Sequence, residues 1–174
     1  LFRSMALSSC KDCGTGKWND KAGQLLCKNC AKGRYGDQLV RTAASGKGGC
    51  KDCGTGKWND QQGQTAVSSC KDCARGRYGD QVARTAALGN SGCKNCGTGK
   101  WNDQAGQTAV SSCKNCAKGR YGDQVAQTAA LGNNGCKDCG TGKYNNQAGQ
   151  TAVSSCKPCA KGRYGDQAAR TVAC

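Results

Sequence analysis

The stretch Cys50-Lys51-Asp52-Cys53-Gly54-Thr55-Gly56-Lys57-Trp58-Asn59-Asp60 is answered by Cys70-Lys71-Asp72-Cys73-Ala74-Arg75-Gly76-Arg77-Tyr78-Gly79-Asp80, and this pair of arms decides how the chain folds. Both arms share one skeleton: a Cys-x-x-Cys pair, then x-x-Gly-basic-aromatic, then a polar turn. Cys-x-x-Cys pairs begin at Cys10, Cys27, Cys50, Cys70, Cys93, Cys113, Cys136 and Cys156. From Cys50 onward the starts alternate in steps of 20 and 23 residues, a composite period of 43, and the first step is three residues shorter. Self-similarity at this period marks a repeat architecture in which each unit leans on its neighbours. Composite repeats are expected at 10–49, 50–92, 93–135 and 136–174, with 1–9 closing a preceding module. Met5-Ala6-Leu7-Ser8-Ser9-Cys10 echoes Thr65-Ala66-Val67-Ser68-Ser69-Cys70, and Cys174 falls where a further pair would begin, so the array is expected to continue beyond both ends.

Composition explains why the cysteines must carry the fold. The chain has 174 residues but only fifteen Leu, Val, Ile or Phe, too few to bury a core of ordinary size. Something else must offset the entropy of ordering the backbone. The 17 cysteines are the candidates, either as disulfides in an oxidising compartment or as metal ligands in a reducing one. No apolar run is long enough to span a membrane, and no signal peptide is visible.

Local chemistry points to turns and short elements. Gly16 and Gly33 precede basic-aromatic pairs and suit turns with positive φ, while Gly23, Gly63, Gly106 and Gly149 break the first arm. In the second arm, Asp80 is placed to cap a short helix over Gln81–Leu88 closed by Gly89-Asn90. The pattern recurs from Asp123, and more weakly from Asp37 and Asp166. The expected fold is a small disulfide-rich repeat protein: an elongated rod of modules about twenty residues long, with short β-hairpins, turns and helices of one to two turns, and little hydrophobic core.

The pattern Cys27-Lys28-Asn29-Cys30-Ala31-Lys32-Gly33-Arg34-Tyr35, with its equivalents in every arm, resembles the ephrin-receptor-like Cys-rich repeats, which are related to the first module type of tumour necrosis factor receptors. It departs from that family at the proline after the second cysteine, which is Gly or Ala here. The resemblance implies that the second cysteine of each pair bonds the first of the next. Carried over, this gives Cys13–Cys27, Cys30–Cys50, Cys53–Cys70, Cys73–Cys93, Cys96–Cys113, Cys116–Cys136, Cys139–Cys156 and Cys159–Cys174, with Cys10 unpaired within the segment. Chain-entropy models give each such loop about 3 kcal/mol. The aromatics Trp18, Tyr35, Trp58, Tyr78, Trp101, Tyr121, Tyr144 and Tyr164 recur once per loop and are expected to pack over a neighbouring disulfide as each module's small core.

Two Cys-x-x-Cys pairs at this separation also fit a four-thiolate zinc ribbon, which with the net charge of +15 would read as an intracellular nucleic-acid binder. Against it stand the even continuation of the pairs, the orphan Cys174 and the absence of histidine. Haem attachment needs a histidine after the pair, and a redox role does not account for eight copies. Catalysis is not expected, because Glu and His are absent and the eleven Asp sit at turn and cap positions. No cofactor is expected either.

Lys57, Arg77, Arg84, Lys100 and Arg120 recur at fixed positions and are the candidates for contact with a polyanion. The bland reading is a solvated surface that keeps the protein soluble. There is no Asn-x-Ser/Thr sequon, so N-glycans are not expected. The sequence therefore points to a structural or scaffolding segment of an extracellular or surface protein, such as a filament, matrix or stalk. Its expected partners are neighbouring modules or subunits, and acidic polysaccharide, mineral or acidic protein rather than specific nucleic acid. The alternatives are a receptor-type ligand-binding ectodomain, for which the apolar Leu25-Leu26 and Leu39-Val40 mark a contact surface, and a linking subunit of a large assembly.

Overall fold

A computed structural model describes residues 11–174; Cys10 and the 1–9 segment lie outside the described residues. The basic-aromatic pair of one arm forms a two-residue strand. It pairs antiparallel with the two residues between the cysteines of the next Cys-x-x-Cys. Lys57–Trp58 thus pairs with Lys71–Asp72 in the register Lys57↔Asp72 and Trp58↔Lys71. Seven such two-stranded sheets follow one another, from Lys17–Trp18 with Lys28–Asn29 to Lys143–Tyr144 with Lys157–Pro158. An isolated hairpin this short does not hold in water. Here a disulfide brackets each one: Cys13–Cys27, Cys30–Cys50, Cys53–Cys70, Cys73–Cys93, Cys96–Cys113, Cys116–Cys136 and Cys139–Cys156, while an eighth, Cys159–Cys174, closes the last loop. The chain is a Cys-rich repeat of eight disulfides in tandem modules of about twenty residues.

Backbone contacts then stack the modules. Gly76 has φ +75, and a Cβ added there would lie 2.2 Å from the carbonyl oxygen of Ala126. Gly33 meets Ala83 and Gly119 meets Ala169 in the same way, each contact displaced by one composite repeat. First arms stack likewise, with Gly16 on Gly63, Gly56 on Gly106 and Gly99 on Gly149. Like arms therefore lie over like arms in two columns. Parallel bridges such as Trp58↔Arg84 and Trp101↔Gln127 stitch one column to the other.

The expected helices are not there. The segments after Asp37, Asp80, Asp123 and Asp166 contain bends and bridges instead. Val40, Ala83, Ala126 and Ala169 take left-handed φ of 54–57°, which ends any right-handed helix. The Ala83 N–H goes to the carbonyl of Cys53, a module away, rather than to a local partner. Helical turns occur in the first arm instead, as 3-10 turns over Val67–Ser69, Val110–Ser112 and Val153–Ser155. There the Ala66 carbonyl accepts both the Ser69 N–H and the Ser69 hydroxyl.

The core is also differently made. Among the described residues, the buried hydrophobic side chains are all cysteines. The aromatics are half-buried, apart from the exposed Tyr164, and do not form module cores. Their places inside are taken by polar residues, Asn59, Asn102, Asn145, Arg41, Arg84 and Gln127.

Because Gly76 combines a left-handed φ with a backbone wall, Gly76→Ala should destabilise by more than about 2 kcal/mol and scramble oxidative folding. Gly54→Ala meets nothing within 4 Å and should cost less than about 0.5 kcal/mol. Thermal midpoints and the yield of the eight-disulfide species compare the two.

Candidate functional site

Asn59 illustrates how a polar residue becomes a joint between modules. Its Nδ2 donates to the Arg34 carbonyl at 3.3 Å, and its Oδ1 accepts from the Gln61 N–H at 3.0 Å. Its backbone N–H reaches the Arg84 carbonyl, and its own carbonyl accepts from Gly33. Asn102 and Asn145 repeat the set. Sequence reading saw only a polar turn after the aromatic. The signal was present in the last copy, where Trp and Asp give way to Tyr144 and Asn146 while Asn145 is kept.

The charges are almost entirely paired from the acidic side: among the described residues, ten of the eleven Asp form ion pairs. Two patterns alternate. After a second arm, the lysine following the next first cysteine reaches back to the cap-position aspartate: Lys51 to Asp37, Lys94 to Asp80 and Lys137 to Asp123, each at 2.7 Å. After a first arm the equivalent lysine lies over the tryptophan. Lys28, Lys71 and Lys114 sit 4.6–4.8 Å from the rings of Trp18, Trp58 and Trp101 and also face Asp20, Asp60 and Asp103. Hydrogen bonding from Lys28, Lys51, Lys94 and Lys137 holds the carboxyls of Asp20, Asp37, Asp80 and Asp123 below the usual carboxylate range, and Asp123 in turn raises Lys137.

The five expected polyanion contacts do not form one free stripe. Lys57 pairs with Asp72 and Arg120 with Asp138, each across its own hairpin. Arg77 donates to Asn95. Lys100 faces Asn115 across its hairpin and has no ion pair among the described residues. Arg84 is 3% exposed, turned inward and paired with Asp80, so it is not a surface cation. Its Nε and Nη1 are buried without a hydrogen-bond partner among the described residues. In the next repeat Gln127 fills the same buried place without a charge, its Oε1 3.7 Å from Cys116 Sγ. Leu25 and Leu26 are 97% and 83% exposed, and Leu39 and Val40 are exposed too. Shallow surface hollows of about 340 and 380 Å³ recur beside Leu88 and Leu131, lined by those leucines, a glycine, an asparagine, a bridged cysteine and a lysine.

No protein-family model matches the chain, and no curated protein matches it. What the structure itself establishes is a disulfide-built repeat of a kind made in oxidising surroundings, with no helix among the described residues long and apolar enough to cross a membrane.

Two outcomes follow from the paired charges. Arg84→Gln should change stability by less than about 1 kcal/mol, since Gln127 already occupies the equivalent site, whereas Asp80→Ala should cost about 1–3 kcal/mol by leaving Arg84 buried without its ion partner. Chemical denaturation with the disulfides intact reads both. The depressed carboxyls contribute stability above their ordinary titration range and lose it as pH falls through their lowered folded-state values. The thermal midpoint should therefore hold near neutrality and drop below about pH 4. The raised Lys137 contributes in the opposite sense, its share being lost only as pH climbs past the ordinary lysine range.

Proposed function

We propose that this chain is a non-catalytic scaffolding segment of an extracellular or cell-surface protein, of the ephrin-receptor-like Cys-rich type. The observation that carries this reading is the unbroken succession of module-to-module joints. Gly33 to Asn59, Gly76 to Asn102 and Gly119 to Asn145 are the same 2.7–2.8 Å backbone bond repeated along the array. Bonds of this kind fix the position of one module against the next. The depressed aspartates support the non-catalytic part, because they are held as anions in ion pairs rather than poised to exchange protons. Partners in this reading are neighbouring subunits of a filament, matrix or stalk.

A receptor-type or linking role is the second reading, and the exposed Leu25-Leu26 pair favours it, being the one place where two adjacent leucines face solvent. The first experiment is intact mass without reductant, with metal analysis and linkage mapping on the same sample. The scaffold reading expects eight bridges, a mass about 16 Da below the reduced chain, and no bound zinc. Free thiols with one zinc per two Cys-x-x-Cys pairs would replace it with an intracellular zinc protein.

A further inference from the structure

The position before the positive-φ glycine of each arm separates the two columns. In second arms it is Lys32, Arg75, Lys118 or Lys161; in first arms it is Thr15, Thr55, Thr98 or Thr141. The four cations are exposed, and none takes part in an ion pair among the described residues. Each precedes one of the glycines Gly33, Gly76, Gly119 and Gly162. The contacts Gly33–Ala83, Gly76–Ala126 and Gly119–Ala169 repeat at one fixed displacement, so the residues beside those glycines recur along one column. The result is a row with one unneutralised cation per composite repeat. Every aspartate but Asp12 is engaged in an ion pair elsewhere among the described residues, so little acid is left to quench it.

The other column is neutral at the same level. Its turns carry threonine, and the loops stacked beside them, residues 61–69, 104–112 and 147–155, contain no charged side chain. At the turn position itself the two columns thus differ, a cation in one and a neutral hydroxyl in the other. A single lysine on an open turn holds no small anion, because nothing converges on it. Four of them at a constant interval suit a ligand that is itself a chain of anions, where each added contact is made at high effective concentration.

We propose that the row Lys32, Arg75, Lys118 and Lys161 is a binding edge for a linear sulfated or carboxylated polysaccharide that runs along the second-arm column. The proposal rests on the extracellular reading above, which puts polysaccharide rather than nucleic acid within reach. It also moves the contact away from Lys57, Arg84 and Arg120, whose charges are spent on Asp72, Asp80 and Asp138.

Any chain of charge +15 will hold some polyanion, so the test compares two variants of equal charge. One carries Lys32→Gln, Arg75→Gln, Lys118→Gln and Lys161→Gln. The control carries Lys17→Gln, Lys21→Gln, Lys47→Gln and Lys143→Gln, four exposed cations off the row that also take part in no ion pair among the described residues. Affinity for immobilised heparin is measured against salt on the oxidised full chain, with intact mass confirming eight bridges in each protein. The row variant should lose on the order of tenfold or more affinity relative to the control. Its slope of log affinity against log salt should be shallower by about three, whereas the control keeps most of its affinity. Equal losses in the two variants, or none in the row variant, would overturn the edge. Duplex DNA that binds as tightly as heparin, with the same dependence on the row, would overturn the polysaccharide assignment. If the unaltered chain proves to lack the eight bridges, the extracellular reading fails on the mass alone, and the variant comparison still decides whether the row binds.

Discussion

The second cysteine of each interior Cys-x-x-Cys pair, from Cys30 to Cys139, is the residue on which the rest of the structure depends, because it is tied at three points. In Cys53 the sulfur bonds Cys70, the N–H donates to the Gly33 carbonyl, and the carbonyl accepts from the Ala83 N–H. Cys73 does the same with Cys93, Gly56 and Gly106, and Cys96 with Cys113, Gly76 and Ala126. One residue thus closes its own loop, holds the preceding module and receives the following one. Apolar burial cannot play this part in a chain with fifteen large aliphatic or phenylalanine residues, many of them facing solvent. Covalent closure and buried backbone hydrogen bonds replace it.

That arrangement dictates which other residues are constrained. With the N–H and C=O of these cysteines committed to other modules, the backbone must pass very close to its neighbour. Glycine answers this at Gly56 and Gly76, where even a methyl group would collide with the stacked carbonyl. The interior left beside the cystines is narrow and lined by backbone polar groups. Asparagine fits it better than an aromatic ring, since its amide supplies both a donor and an acceptor. The aromatics are displaced outward to the hairpins, where Trp58 rests its indole N–H on the Asp72 carbonyl and takes Lys71 on its face.

Much of this was legible and some was not, for definable reasons. Module spacing, hairpins, the left-handed glycines Gly16 and Gly33 and the lack of an ordinary core follow from local pattern and composition, and the structure agrees on each. The helix after Asp80 was misread because Gln-Val-Ala-Arg-Thr-Ala-Ala-Leu has good local helix propensity. The joint at Cys53 overrides that propensity by drawing the Ala83 N–H across to another module. Arg84 was misread for the same reason: a residue bridged to Trp58 in the next column points inward, whatever its charge. Contacts between modules carry no signature in the stretch of sequence that makes them. They show only when equivalent copies are compared.

Comparing the copies within this chain turns that limitation into information. The cysteines, the turn glycines and Asn59, Asn102 and Asn145 do not vary where the modules join. What varies is charge on the hairpin surface and in one interior site. Asp52 and Asp72 become Asn95 and Asn115 one repeat later, which removes the carboxylates facing Arg77 and Lys100. Arg84 becomes Gln127, which removes a buried cation and with it one half of an ion pair. Neither change touches a backbone joint, so the stack tolerates both. The scaffold therefore separates two kinds of demand: geometry is fixed by groups that cannot change without a collision, and surface charge is set by groups that change freely. A repeat built this way can alter its electrostatic character from one turn to the next without altering its shape, because ion pairs on exposed hairpins contribute little to holding it together.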